Sequence, residues 1–220
     1  VWGGEWTCGI GVAVSDSPEG PFIDKGKLFR SNEIGVKNSI DPCYIEDGGK
    51  KYLFWGSFRN LYAVELSITD DMDISVKKES KRQIAGNAFE GTNIYKRKGY
   101  YYLFASIGDF TNDTYRTVVG RSTNLLGPYV DKSGKTMLDN GYEFVLGNSD
   151  WFYGLGHNAA LVEDDGGQTW MLYHGYERDT KKGRYVFLDK VLWDNKGWPY
   201  IQGGIPSTKT VVPINKNKKR

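Results

Sequence analysis

The sequence predicts an all-β protein built from a repeated four-stranded sheet, an incomplete β-propeller of about three and a half blades. Three observations predict it. The first is a strand–turn–strand layout that occurs three times, as SIDPCYIEDGGKKYLFWGS (39–57), NAFEGTNIYKRKGYYYLFASIGD (87–109) and GHNAALVEDDGGQTWMLYHG (156–175). Each copy opens on a polar residue, reverses at a Gly-containing polar turn and returns through an aromatic run, the composition that suits a pleated, half-buried surface. The second is a turn that recurs at fixed offsets, Ser15-x4-Gly20-Pro21-Phe22 and Ser122-x4-Gly127-Pro128-Tyr129. The third is period: Ser15, Ser67 and Ser122 close outer strands 52 and 55 residues apart, close to the roughly 40–50 residues of a propeller blade.

Taken in order, Cys8–Ser15 reads as a strand turned back by SDSPEGPF, so residues 1–30 supply only the outer half of a blade. Three whole blades follow at 38–80, 87–135 and 150–203. Each is expected to have an inner strand (40–46, 89–95, 157–163), an aromatic strand (51–57, 100–106, 169–175) and an outer hairpin. Pro206–Ile214 is a candidate final strand, ending a single partial domain at 1–214, and 215–220 is a basic tail of the kind that frays. No helical periodicity of useful length occurs. An open ring of sheets leaves unpaired edges, so the expectation is that an N-terminal segment absent from this sequence, or another chain, completes the propeller. The opening at Val1-Trp2-Gly3-Gly4, inside a glycine loop, points to a processed or truncated chain.

Composition narrows the function. With 29 basic and 27 acidic residues the net charge is +2, no electrostatic case for nucleic acid or an anionic membrane as partner. No run of 18 apolar residues exists to span a bilayer. Cys8 and Cys43 leave room for one bridge at most and have no metal-ligand spacing. The outlier is aromatic content: 15 Tyr, 10 Phe and 7 Trp beside 28 Gly. Many Gly-closed strands with surplus stacking surface fit a carbohydrate-handling all-β protein, and equally a ligand-free aromatic core.

The polar residues that lead the repeats, Asp41, Glu90 and His157, converge if the repeats surround an axis. Asp41 precedes Pro42, which holds its backbone extended. Two acids and a histidine in one pocket raise the pKa of one carboxyl by repulsion and desolvation, as a general acid for glycoside hydrolysis requires.

Asn38-Ser39-Ile40-Asp41-Pro42, Phe89-Glu90-Gly91, Gly156-His157-Asn158, Gly183-Arg184, Val191-Leu192-Trp193 and Gly197-Trp198-Pro199-Tyr200 together resemble the signature series of glycoside hydrolase family 43. The resemblance implies a five-bladed propeller and an inverting enzyme of the endo-arabinanase, arabinofuranosidase and β-xylosidase group. It leans toward arabinan through the Asn-x-Ile-Asp-Pro form and GRSTNLLGPY. It implies Glu90 as general acid, Asp41 as modulator of its pKa, Asn38 and Arg184 as sugar contacts, and His157 beneath the pocket beside a calcium or its water shell. The family's general base, an aspartate on the first strand of the first blade, has no counterpart here, and Thr92 stands where many members have proline. The expected partner is arabinan or arabinoxylan, and such a polymer places the protein in a secreted or periplasmic location. A β-xylosidase or a catalytically silent sugar-binding propeller are the alternatives.

Other residues invite weaker readings. Asp165-Gly166-Gly167-Gln168-Thr169-Trp170 mimics the Asp-box turn of sialidases but occurs once. Ser57, Ser106 and His174 end the aromatic strands and reach toward a pocket rim or serve the fold. Phe58, with Trp55, Trp151 and Tyr153, is a candidate to stack on a sugar ring, and Cys43 reads as packing.

Overall fold

Alternation along single strands explains how the sheets stack. The structure, a computed structural model, describes residues 3–180, 183–209 and 211–216. A two-stranded antiparallel ribbon comes first, β1 (Gly9–Val14) with β2 (Ile23–Arg30). One helical turn, Ser31–Ile34, then leads into a four-stranded sheet of β3 (Cys43–Asp47), β4 (Lys50–Trp55), β5 (Leu61–Ile68) and β6 (Ile74–Ala85) in that spatial order. The next sheet repeats the pattern with β7 (Phe89–Arg97), β8 (Tyr100–Ile107), β9 (Arg116–Ser122) and β10 (Glu143–Leu146). The last has β11 (Phe152–Gly156), β12 (Val162–Glu163), β13 (Thr169–Glu177), β14 (Tyr185–Trp193) and β15 (Pro199–Tyr200), with β11 and β12 both paired to β13.

Successive side chains of a strand point to opposite faces, and β8 uses both. Tyr101, Leu103 and Ala105 enter the core shared with Phe54, Leu61 and Ile84 of the preceding sheet. Tyr102 and Phe104 enter the core shared with Leu155, Met171, Tyr173 and Val191 of the following one. In β4, Phe54 faces forward and Leu53 and Trp55 face back onto Ile10 and Phe29 of the ribbon. The β3–β6 and β7–β10 sheets are thus apolar on both faces and packed between neighbours, the blade arrangement of a propeller.

The two Ser-x4-Gly-Pro turns match to the hydrogen bond. Ser15 Oγ accepts from Ser17 N and Ser122 Oγ from Asn124 N, Gly20 N donates to Ser17 O and Gly127 N to Asn124 O, and both Gly–Pro bonds are cis.

Four expectations are corrected. The inner strand of the last blade does not run through 157–163: β11 stops at Gly156, β12 has only two residues, and His157 lies in the break between them. The outer strand β10 lies beyond residue 135, after a long excursion in which Val130 bridges Arg121 and Thr136. Residues 206–209 and 211–214 form no strand; Ile214 O accepts from Asp165 N and Ile214 N donates to the Asp164 carboxylate, and 217–220 of the tail lie outside the described residues. Cys8 and Cys43 are free thiols, with Cys8 Sγ 3.2 Å from Ser31 Oγ.

The Asp-box mimic has a structural role centred one residue earlier. Asp164 Oδ1 accepts from Gly166 N and Gln168 N, and Oδ2 from Trp170 Nε1 and Ile214 N, each at 2.9 Å. Trp55 is fully buried and donates from Nε1 to Ser39 Oγ at 3.0 Å, so it is core rather than a sugar platform.

Candidate active site

Asp41, Glu90 and His157 come from three successive sheets and meet. One ligand atom from each lies within 4.8 Å of the other two. His157 Nε2 is 3.8 Å from Asp41 Oδ1, and its Nδ1 is 3.9 Å from Glu90 Oε1. The backbone aims them, with Asp41 in the left-handed region rather than the extended backbone expected before Pro42. Asn38, Asp41, Phe58 and His157 all hold positive φ, between 49° and 57°, a conformation that costs a non-glycine residue on the order of 1–3 kcal/mol and concentrates at functional sites. Glu90 is aimed by a register break between Glu90 and Asn93 in the β7–β8 pairing, the local kink by which a bulge redirects a side chain. Gly91, inside that break, has φ 64°, and a Cβ there would stand 3.1 Å from the His157 ring. Thr92 is accommodated, buried, within the same bulge.

Glu90 is only 8% exposed and is gripped from two sides. Ser57 Oγ donates to Oε2 at 2.9 Å, and Tyr115 OH donates to Oε1 at 2.5 Å. Tyr115 is fully buried, lies 3.5 Å from His157 Nδ1 and stacks on His174, which in turn stacks on His157. Ser106 Oγ accepts from the backbone N of His157 at 2.7 Å. The three residues with two possible readings, Ser57, Ser106 and His174, therefore all serve the cluster. Tyr115 was not singled out in the sequence; it precedes β9 at no repeat-equivalent position.

The remaining candidates lie around the cluster. Asn38 Nδ2 donates to Ser57 O at 2.9 Å, bracing the residue that holds Glu90. Arg184, just before β14, places Nη1 3.5 Å from His174 Nε2 and its guanidinium 5.1 Å over the Phe110 ring. Phe58 lines a neighbouring cleft with Trp6, Lys37, Asn60 and Asn87, not lined by Asp41, Glu90 or His157. Trp151 is 62% exposed, whereas Tyr153 stacks on Tyr176.

A family model for glycosyl hydrolases family 43 matches residues 1–199. The chain belongs to glycosyl hydrolase family 43. It is 32% identical over 223 residues to the extracellular exo-α-(1→5)-L-arabinofuranosidase ArbA of Cellvibrio japonicus, covering 90% of this chain and 63% of ArbA. It is 34% identical over 211 residues to the arabinan endo-1,5-α-L-arabinosidase C of Emericella nidulans, covering 87% of this chain and 64% of that protein. It thus spans just under two thirds of these two relatives. Among solved structures, an α-L-arabinanase of Cellvibrio cellulosa in complex with arabinohexaose superposes with TM-score 0.80 at 29% identity, over 91% of this chain and 70% of that one. The architecture is an incomplete five-bladed propeller.

The electrostatics of this family-43 site differ from the expectation that the general-acid candidate carries the raised pKa. Burial pushes both carboxyls up. At Asp41 burial prevails, reinforced by Glu90 and opposed by His157. At Glu90 burial is outweighed by His157, Tyr115 and Ser57, which hold the carboxyl below its ordinary value. At 3.9 Å the imidazole acts on Glu90 mainly as a charge. His157 is raised, first by Glu90 and then, against desolvation, by Asp41. His174, desolvated and beside Arg184, is lowered to about 4 and stays neutral.

The sign of the linkage follows. His157 contributes stability that is fully present below its ordinary value of 6.5 and lost as pH rises through its higher folded value. Replacing His157 by Gln is expected to flatten the fall in urea midpoint as pH rises above the ordinary histidine value of 6.5. An equally steep fall in the variant would assign that pH dependence elsewhere.

Gly156 is the second glycine whose missing side chain matters. A Cβ there would come within 2.5 Å of the Tyr115 ring and 2.8 Å of Ser106 Oγ. Gly156→Ala is expected to cost about 1–3 kcal/mol by overpacking and to move Tyr115 off Glu90. Denaturant unfolding and the Tyr115 ring shifts in an NMR spectrum would show both, and an unchanged ring environment would mean the site yields elsewhere.

Proposed function

We propose that the protein containing this chain is an inverting glycosidase that cleaves α-L-arabinofuranosyl linkages in arabinan, with Glu90 as the general acid and its base outside this chain. The observation that carries the reading is the pair of close carboxyls. Asp41 and Glu90 have oxygens within 4.8 Å of each other, short of the roughly 6.5–9.5 Å that leaves room for an attacking water between the two carboxylates of an inverting pair. Asp41 is therefore not the water-activating base but the modulator: it raises His157, the group that holds Glu90 down, and is itself raised by the charge of Glu90. An added aspartate facing the cluster from a further blade, together with the desolvation a bound sugar brings, acts to raise the Glu90 carboxyl toward the protonated form an acid needs. The arabinan-directed relatives and the arabinohexaose-bound neighbour support the substrate class, with Asn38, Arg184 and Phe58 as its contacts. An extracellular relative supports secretion.

The 220-residue chain by itself, lacking the base, is expected to show no hydrolysis above background. A retaining pair needs carboxyls about 5–5.5 Å apart, close enough to the present spacing that product stereochemistry is the deciding measurement. Early NMR spectra of arabinan digestion by the intact protein should show inverted anomeric configuration. Retention would mean that Asp41 attacks as a nucleophile and would overturn this assignment.

The calcium that the family resemblance implies beside His157 is not matched by a protein cage. Calcium takes six to eight oxygens, whereas the cluster offers an imidazole and two carboxylates, joined among the described residues by no other acidic, His or Cys side chain. No step of the chemistry is routed through it.

A further inference from the structure

We infer that the cleft beside the catalytic cluster is a second carbohydrate site, one that takes a hexuronate, a sugar ring carrying a carboxylate. Its walls come from Trp6 ahead of β1, residues 35–37 after the helical turn, Phe58, Arg59 and Asn60 between β4 and β5, Tyr62 on β5 and Asn87 ahead of β7. Its volume is about 520 Å³, within the roughly 300–1,000 Å³ of small-ligand sites. The walls combine three chemistries that such a ring answers. Trp6 is 47% exposed, and Phe58 and Tyr62 are half-buried, aromatic surface for the C–H face of a pyranose. Asn60 and Asn87 bring amides that both donate and accept, as sugar hydroxyls do. Lysines supply the third.

The charges decide for an acidic sugar over a neutral one. Lys37 Nζ lies 5.4 Å over the Trp6 ring. Lys81 Nζ lies 6.0 Å over the Tyr62 ring, donates to Ile34 O at 2.8 Å and stands 3.5 Å from where a Gly35 Cβ would be. Among the described residues neither ammonium has a carboxylate within ion-pair distance, so both keep their charge for a ligand. Arg59 does not. Its Nε and Nη2 donate to the two carboxylate oxygens of Glu5 at 3.2 and 2.6 Å, so the planar fork that would grip a phosphate in bidentate fashion is already filled. Two point charges beside aromatic faces and amides remain, the complement of a ring with a carboxylate. The cleft also adjoins the acid. Lys37 precedes Asn38, whose amide donates to Ser57 O, and Phe58 follows Ser57 and donates from its backbone N to Phe89 O at 2.8 Å, next to Glu90. A glycan with a uronate near its cleaved linkage is therefore favoured over a neutral one; that consequence rests on the proposed function, whereas the binding itself does not.

The test titrates the 220-residue chain with a linear galacturonate trimer, followed by NMR and calorimetry. Shifts should concentrate on the Trp6 indole N–H and the side-chain amides of Asn60 and Asn87. Affinity should exceed that for the neutral galactose trimer of the same linkage at least tenfold, and should fall at least tenfold as sodium chloride is raised from about 50 mM to about 500 mM. Lys37→Gln and Lys81→Gln together should weaken binding at least tenfold. Lys81→Arg, which keeps the cation, should retain it, and Lys98→Gln, on the distant β7–β8 turn, should leave it unchanged. If the double variant fails to fold, the shift map and the neutral-trimer comparison on the unaltered chain decide. A neutral trimer or a glutamate tripeptide that binds as tightly, shifts elsewhere than the cleft, or an equal loss in Lys98→Gln would overturn the site while leaving the glycosidase reading to its own stereochemical test.

Discussion

Replacing Glu90 by Gln in the intact protein is expected to lower kcat on arabinan by about 10²–10⁴-fold, the contribution of a positioned general acid, with KM little changed. The isosteric amide keeps one acceptor oxygen for either Ser57 or Tyr115, presents its NH2 to the hydroxyl oxygen of the other, and carries no transferable proton, so the loss reports proton donation at nearly constant packing. A glycoside whose leaving group departs without protonation should recover much of the lost rate, because the water-activating step is untouched. Steady-state kinetics on both substrates separate the cases. Undiminished hydrolysis of arabinan would remove Glu90 from the acid role. Equal loss on both substrates would make it a residue that shapes the pocket rather than one that donates.

The largest expected effect on stability lies at Trp55. It is fully buried, packs on Phe29 with ring centroids 5.1 Å apart and on Tyr62 at 5.9 Å, and its indole N–H satisfies Ser39. Trp55→Ala is expected to cost about 3–5 kcal/mol, the range for emptying a large aromatic from a core. It should loosen the β1–β2 ribbon first, since Phe29 and Ile10 reach the rest of the molecule through the same core. A drop in urea midpoint together with faster amide exchange in β1 and β2 would show this. A change under about 1 kcal/mol would mean the ribbon is held by something other than that core.

Much of the architecture was legible because a propeller writes its repeat into the chain. The aromatic run Tyr100–Ala105 foretold a strand, read as half-buried and found buried on both faces, and the Ser-x4-Gly-Pro recurrence marked equivalent turns that the structure makes identical in their hydrogen bonds. His157 was placed correctly in the cluster and wrongly at the head of a strand. Residue order shows that a polar residue opens a repeat, but the break after Gly156 depends on how close Tyr115 and Ser106 approach from the neighbouring sheet.

What the amino-acid order determined by itself is the all-β repeat, the family it belongs to, and the identity of the three polar residues that face one another, because each is a local pattern recurring at a fixed period. The tertiary structure alone decided which acid is which in electrostatic terms. Burial acts on Asp41 and Glu90 alike; the difference comes from Ser57, Tyr115 and His157, donors 33, 25 and 67 residues away in sequence that reach Glu90 and leave one oxygen of Asp41 unanswered. A hydrogen bond weakens steeply over a fraction of an ångström, and no spacing along a chain carries distance at that scale.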